Sequence, residues 1–177
     1  MTHLGIPRGL TLVECAAALA VIAVGAAAAA PSLQRLLDQR RLDGVAATLA
    51  ADLQLARNEA IARNEPVRVT LDAARRCYVV HTGGAAQCSC AADDAPAACT
   101  GGARQIRTAR WDPAADHLAI AANTASMLFD PLHGTASPTG TWRVTSIDGR
   151  AIHHVVNVMG RVRSCAGAGS VPGLRPC

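Results

Sequence analysis

Two arginines near the end of the sequence have the chemistry and spacing to bind phosphate. Arg161 and Arg163 are two positions apart in the segment Gly-Arg-Val-Arg. In an extended chain their side chains leave the same face, about 6.8 Å from one another. A guanidinium group presents a planar fork of N–H donors that suits phosphate oxygens. The spacing therefore predicts a surface that contacts successive backbone phosphates of a nucleic acid.

The charge around this pair is positive as well. From Gly149 to Cys177 the sequence contains no acidic residue but holds two histidines and four arginines: Arg150, Arg161, Arg163 and Arg175. Such a segment projects positive potential, although the same arginines could simply be solvated residues at strand ends. The few aromatic residues, two Trp, one Tyr and one Phe, do not alternate with these arginines, so base stacking is not expected. Any binding to a nucleic acid would be weak, salt-sensitive and directed at its phosphate backbone.

A single carboxylate, Glu14, interrupts the apolar run from Gly9 to Ala30. As a helix, Leu10–Ala30 would be about 32 Å long, which is enough to cross a bilayer. A charge near the membrane centre costs about 2.5–3.5 kcal/mol, so Glu14 is expected to have a function. A cleaved secretory signal is the alternative, because Arg8 precedes the run and alanines close it.

Seven cysteines bear on the cellular compartment. Cys15 lies in the apolar run, where a small buried hydrophobic residue is expected rather than a reactive thiol. The other six are an even set that predicts disulfides and an oxidising compartment: Cys77, Cys88, Cys90, Cys99, Cys165 and Cys177. The pairing stays open, with Cys165–Cys177 favoured because it would close a Gly/Pro-rich segment. The Cys-Ser-Cys spacing is poor for zinc, so we expect neither metal nor cofactor.

A helical pattern follows the apolar run. Beyond Pro31, apolar positions recur at spacings of three and four and predict one buried stripe: Leu42, Val45, Leu49, Leu53, Ala56 and Ala60. The opposite, solvent-facing side is predicted to hold Arg40, Arg41, Asp43, Asp52, Arg57 and Glu59. Because a residue before proline disfavours the helical conformation, Pro66 should end the helix near Asn64. Together these segments predict one helix of about 55 residues.

The hydrophobic period then changes to two, which predicts strands. Six segments show it: 67–72, 78–81, 105–111, 126–129, 141–147 and 152–158. Turn residues such as Asp148-Gly149 separate them. The pattern predicts an α+β fold in which an antiparallel head of six to eight strands packs on the second half of the helix.

The segment Arg8–Glu14, Arg-Gly-Leu-Thr-Leu-Val-Glu, resembles the class III signal of type IV prepilins and pseudopilins. The resemblance implies that a prepilin peptidase cuts between Gly9 and Leu10 and that the new amine of Leu10 is methylated. It implies that Glu14 pairs with the N-terminal amine of a neighbouring subunit during assembly. The family most often has Phe where this chain has Leu10.

The rest of the chain, from VRVTLD through SMLFDPLHGTASPTGTW to GRVRSC, resembles the FimT/GspH group of minor pilins and pseudopilins. The resemblance implies a type IV pilin-like fold with three parts: a leader at 1–9, a transmembrane and assembly helix at 10–33, and a periplasmic head at 34–177. It also implies a single pass through the inner membrane before assembly and, later, a place in a pilus at the cell surface.

Within the FimT branch, a C-terminal Gly-Arg-x-Arg motif is associated with DNA binding during natural transformation, and Gly160–Arg163 matches it. The expected function is therefore a minor pilin whose partners are other pilin subunits and double-stranded DNA. The DNA-binding residues would be Arg161, Arg163 and Gly160, with Arg150 and Arg175. The alternative is a minor pseudopilin of a type II secretion system with a purely structural role. Catalysis is not expected, since the sequence has no nucleophile elbow, phosphate loop or metal-binding helix.

Overall fold

The computed structural model describes residues 11–91, 95–169 and 171–177. It separates into two compact units, residues 1–39 and 40–177. One helix, α1 (Leu12–Arg63), contributes to both. Thr11 caps its start, because the Glu14 N–H donates to Thr11 Oγ1 at 3.2 Å. The predicted long helix is therefore confirmed.

The described part of the first unit is the apolar beginning of α1. An 18-residue window of this helix has a mean hydropathy of 2.2 and none of it is buried, so it is long and apolar enough to cross a membrane. A signal sequence near the N-terminus would pass the same test. Pro31 lies inside the helix without ending it. Glu14 is exposed, as is the free thiol of Cys15. The predicted cleavage and methylation sites at Gly9 and Leu10 lie outside the described residues.

In the second unit, α1 supplies one face of the core. Its buried residues are Leu42, Ala46, Leu49, Asp52, Leu53, Ala56 and Ala60. The predicted apolar stripe is confirmed, with Ala46 fully buried and Val45 partly buried against the same core. The helix ends at Arg63, next to Asn64 with its left-handed φ of 51°.

Strands make up most of the remaining structure. The longer ones are β1 (Val67–Asp72), β2 (Cys77–Thr82), β5 (Gln105–Arg110), β6 (Leu118–Ala122), β7 (Ser126–Phe129), β9 (Gly140–Ser146), β10 (Ala151–Val156) and β11 (Val162–Ala168). Three two-residue strands accompany them: β3 (Cys88–Ser89), β4 (Ala98–Cys99) and β8 (Ala136–Ser137). A short helix, α2 (Pro113–Asp116), follows β5. All six predicted strands are present, whereas β6, β11 and the three two-residue strands were not predicted.

The strands form two main antiparallel sheets. Their orders are β5-β2-β1-β7-β8 and β11-β10-β9-β6, and β3 pairs with β4 beside them. Buried side chains of α1 and of both sheets belong to one hydrophobic cluster. Within it, Tyr78 of β2 meets Trp142 of β9 edge to face, with ring centroids 6.1 Å apart. Such aromatic pairs contribute about 0.5–1.5 kcal/mol beyond the area they bury.

One residue of α1 corrects the sequence analysis. Asp52, predicted on the solvent-facing side, is only 3% exposed. Its carboxylate accepts hydrogen bonds from Tyr78 Oη at 2.7 Å and from Arg107 Nε at 2.9 Å. Helical periodicity assigns a charged residue to the polar face and carries no information about such distant partners. A carboxylate with two donors can be buried, because its hydrogen-bonding capacity is met.

Candidate nucleic-acid interface

The predicted phosphate-binding arginines lie on the hairpin formed by β10 and β11. The strands pair from Ala151 opposite Ala168 to Val156 opposite Val162, and the turn begins at Asn157. In this turn, the Gly160 N–H donates to the Asn157 carbonyl at 2.9 Å. The Arg161 N–H donates to Asn157 Oδ1, also at 2.9 Å. Asn157 thus fixes the backbone of the residues that carry the charge.

Arg161 and Arg163 are both exposed. Val162, between them, is partly buried and packs against the core. Because side chains alternate along an extended chain, the two arginines leave the side opposite to Val162. The structure therefore presents two guanidinium groups from one edge of the hairpin.

The turn is packed against α1 and against the loop that follows β7. Gly160 has a φ of +67°, and a Cβ there would overlap the carbonyl oxygen of Gly134 and lie 2.9 Å from Arg57 Nε. That same Gly134 carbonyl accepts a hydrogen bond from Arg57 Nε at 3.0 Å. The Val158 carbonyl accepts from the Ala136 N–H at 2.9 Å. We call the contact among Arg57, Gly134 and Gly160 the turn–helix contact.

Arg150 stands at the other end of the hairpin, next to the pair of Ala151 with Ala168. It is five positions from Val155, the partner of Arg163, which is about 17 Å along a strand. Its side chain is 18% exposed and forms an ion pair of 2.6 Å with Asp148. The Arg150 guanidinium lowers the pKa of the Asp148 carboxyl. The charge of Arg150 is thus largely offset by Asp148, which immediately precedes the acid-free segment 149–177.

Arg175 is exposed but held near the middle of β11. Its carbonyl accepts from the Ala166 N–H at 2.8 Å, and a disulfide joins Cys165 to Cys177 around it. Ala166 is three residues from Arg163, or about 10 Å along the strand. Of the five predicted residues, the structure brings Gly160, Arg161 and Arg163 together and places Arg150 and Arg175 away from them.

Three disulfides are present. Cys165–Cys177 is the pair that the sequence favoured, and Cys77–Cys90 and Cys88–Cys99 fasten the loop between β2 and β5. Asp72, Cys77 and Cys90 place potential metal ligand atoms within 4.8 Å of one another. Both sulfurs there belong to the disulfide, and metal binding by cysteine requires a thiolate. This cluster is therefore explained as a covalent crosslink.

Two further arginines were missed as parts of this surface. Arg57 lines a cavity of about 480 Å³ beside the turn. Arg143 is exposed on β9 opposite His153, which neighbours the strand of Arg163. Burial, followed by the charge of Arg143, lowers the pKa of His153. Period-two spacing could have placed Arg143 on an outer face, but the strand order that brings it near β11 is not visible in the sequence.

A long N-terminal helix packed on an antiparallel head defines a type IV pilin-like protein of the minor pilin or pseudopilin kind. Residues 45–160 match the family model described as Type II transport protein GspH, and the chain belongs to this family. The match ends at Gly160, so Arg161 and Arg163 lie just beyond it.

Solved structures support the same fold. The minor pseudopilin EpsH from the type 2 secretion system of Vibrio cholerae aligns with a TM-score of 0.52 and 13% identity, over 71% of this chain and 97% of that one. The type IV minor pilin FimU of Pseudomonas aeruginosa aligns with a TM-score of 0.52 and 19% identity, over 72% of this chain and 90% of that one. Comparison with curated protein sequences gives no significant match.

Proposed function

We propose that this chain is a minor pilin subunit that captures DNA through the arginines of its β10–β11 hairpin. Family membership and the apolar first half of α1 support the role of a filament subunit that is held in the inner membrane before assembly. Its head would then face the periplasm, where the three disulfides can form and persist. The proposed role is structural and binding rather than catalytic.

Assembly is proposed to depend on Glu14. A carboxylate within an apolar environment needs an opposite charge, and a freed N-terminal amine of a neighbouring subunit can supply it. Cutting between Gly9 and Leu10 by a prepilin peptidase, followed by methylation, would produce that amine. The exposed position of Glu14 in the first turn of α1 supports this proposal.

DNA capture rests on one observation, the exposure of Arg161 and Arg163 on one edge of a hydrogen-bonded hairpin. Among the described residues, neither guanidinium forms an ion pair with a carboxylate. Two phosphate contacts release few counterions. A plot of the logarithm of the association constant against the logarithm of the salt concentration should therefore have a slope of about −1.8. Affinity should be micromolar or weaker, and independent of DNA sequence.

The test measures binding of the full-length chain in detergent to a fluorescent duplex at several salt concentrations. Arg161→Ala/Arg163→Ala should remove most of the salt-dependent binding. Arg76→Asn is a control for the loss of one exposed charge away from the hairpin, because Arg76 lies in the turn between β1 and β2 and Asn tolerates the φ of 55° found there. Equal binding by the double variant and the unmodified chain would reject the arginine pair.

The second candidate is a minor pseudopilin of a type II secretion system. Two observations favour it: the matching family model is described as Type II transport protein GspH, and the charge of Arg150 is offset by Asp148. This function requires the same helix and head but predicts no salt-sensitive DNA binding. The titration above therefore separates the two candidates.

A further inference from the structure

The cavity beside the turn lies between α1 and the hairpin that carries Arg161. It is lined by Gln54, Arg57, Asn58, Asn157, Met159, Gly160, Arg161 and Val162. We infer that this cavity is an anion site that receives one backbone phosphate of the bound nucleic acid, with Arg57 as a third phosphate-binding arginine. The inference rests on the proposed function and adds a helix-borne residue to it.

The lining has the chemistry of a phosphate site. Two arginines and three residues with carboxamide side chains are among the eight that line it, and none of the eight is acidic. Guanidinium and amide N–H groups donate to phosphate oxygens. Two positively charged residues beside one cavity repel each other, and an anion bound between them would attract both. The cavity thus favours an anionic occupant.

A hydrogen bond to the backbone holds the guanidinium group of Arg57 in place. Arg57 is partly buried, and its Nε donates to the Gly134 carbonyl at 3.0 Å, which leaves the four Nη hydrogens for other acceptors. The glycine at position 160 allows this approach, since a Cβ there would lie 2.9 Å from Arg57 Nε. A guanidinium fixed next to the residue that precedes Arg161 loses little conformational freedom when it binds.

The cavity is large enough to enclose a small ligand. Its volume of about 480 Å³ falls within the ≈300–1,000 Å³ of small-ligand pockets. A phosphate can therefore enter together with part of its sugars.

The experiment compares Arg57→Ala and Asn58→Asp with the unmodified full-length chain, using the same duplex and salt series. With Arg57 as a third contact, the salt slope of the unmodified chain should be about −2.7 rather than about −1.8. Arg57→Ala should weaken binding about tenfold and return the slope to about −1.8. Because Arg57→Ala also removes a hydrogen bond of the turn–helix contact, Asn58→Asp is the second variant. It changes an exposed helix residue to an acid of the same shape and should weaken binding by a similar factor.

Gln105→Glu is the control for added negative charge. It lies on β5 in the other sheet, and the oxygen that accepts from the Ala97 N–H at 2.6 Å is retained. Its binding should stay within twofold of the unmodified chain. Loss of binding in both cavity variants but not in this control supports the anion site.

Three results would overturn the inference. If the unmodified chain does not bind the duplex, the proposed function and the inference fail together. If it binds and both cavity variants bind equally well with an unchanged salt slope, only the inference fails. If inorganic phosphate raises the melting temperature of the unmodified chain but not of Asn58→Asp, while DNA binding is the same in both, the site belongs to a free anion.

Discussion

The hydroxyl of Tyr78 donates a 2.7 Å hydrogen bond to the carboxylate of Asp52 inside the core. This bond joins α1 to β2. Arg107 of β5, whose side chain is 49% exposed, donates a second hydrogen bond to the same carboxylate. Burial, and then the hydrogen bond to Asp52, raises the pKa of the Tyr78 hydroxyl well above its usual value. The phenol therefore stays protonated and remains a donor at all physiological pH values.

Removing either partner should destabilise the head. Asp52→Ala leaves the buried Tyr78 hydroxyl without its acceptor, and we expect the free energy of unfolding to fall by about 2–4 kcal/mol. Tyr78→Phe removes one donor to a charged group and should cost about 1.5–3 kcal/mol. Urea unfolding of the two single variants and the double variant gives the coupling between them. Additive effects would show that the two side chains do not depend on each other.

The glycine of the basic motif should be required for packing. In Gly160→Ala the new Cβ would meet the backbone oxygen of Gly134, which no rotamer change can relieve. Gly149→Ala is a matched control, because its φ is also positive at +85° but nothing lies within 4 Å of the added Cβ. Both carry the left-handed strain of about 1–2 kcal/mol, and only Gly160→Ala adds about 1–3 kcal/mol of overlap. Thermal unfolding measures the difference, and equal losses would contradict the turn–helix contact.

The ion pair of Asp148 and Arg150 should be neutral toward DNA. Asp148→Asn/Arg150→Gln removes both charges and leaves the net charge unchanged. We expect binding affinity and salt slope to match those of the unmodified chain, because Arg150 is held by Asp148 and lies away from Arg161. A direct phosphate contact by Arg150 would instead reduce the slope by about 0.9 in the same titration.

The free energy of unfolding should fall between pH 7 and 4.5 because His154 is buried in its neutral form. Its side chain is 1% exposed, and burial lowers its pKa to about 4. Nδ1 lies 2.9 Å from Ser164 Oγ. The backbone of Ala46 opposes part of the pKa lowering, yet Nε2 is buried without a hydrogen bond among the described residues.

In the unfolded chain a histidine has a pKa near 6.5, so the unfolded state is protonated at a higher pH than the folded state. The contribution of His154 to the free energy of unfolding is therefore present above pH 6.5 and is lost as the pH falls towards 4. Between pH 7 and 4.5, the unmodified chain should lose about 2 kcal/mol more than His154→Gln. Urea unfolding at both pH values measures this. Burial also lowers the pKa of His81, which remains in both proteins and cancels in the comparison. Parallel losses in the two proteins would exclude His154 as the cause.

The elements were predictable because their signals are local. Residues three and four apart along α1 share a face whatever they pack against, so Leu42, Leu49 and Leu53 could be identified as buried. The period of two identified β1 and β10 in the same way. In β11 the period is weak, since Arg163 and Ser164 are both exposed and Cys165 and Ala166 are both buried. The strand is recognised only through its pairing with β10.

The site was only partly predictable because it is formed by residues that are far apart in the sequence. Gly-Arg-Val-Arg could be read directly, but the contact of Gly160 with Gly134 and Arg57 depends on how α1 and the loop after β7 meet. Asp148, the partner of Arg150, immediately precedes the segment 149–177 that contains no acidic residue. Exposed charge can be counted from a sequence, whereas its neutralisation and burial are set by the fold.

The position of Gly160 also limits what a four-letter pattern can reveal. The same residue that opens the basic motif seats the loop tip against the backbone of another segment. This packing requires a glycine at position 160 whether or not the chain binds a polyanion. In this chain the four-residue motif therefore reports how a loop is docked, and the ligand must be established from the side chains that surround it.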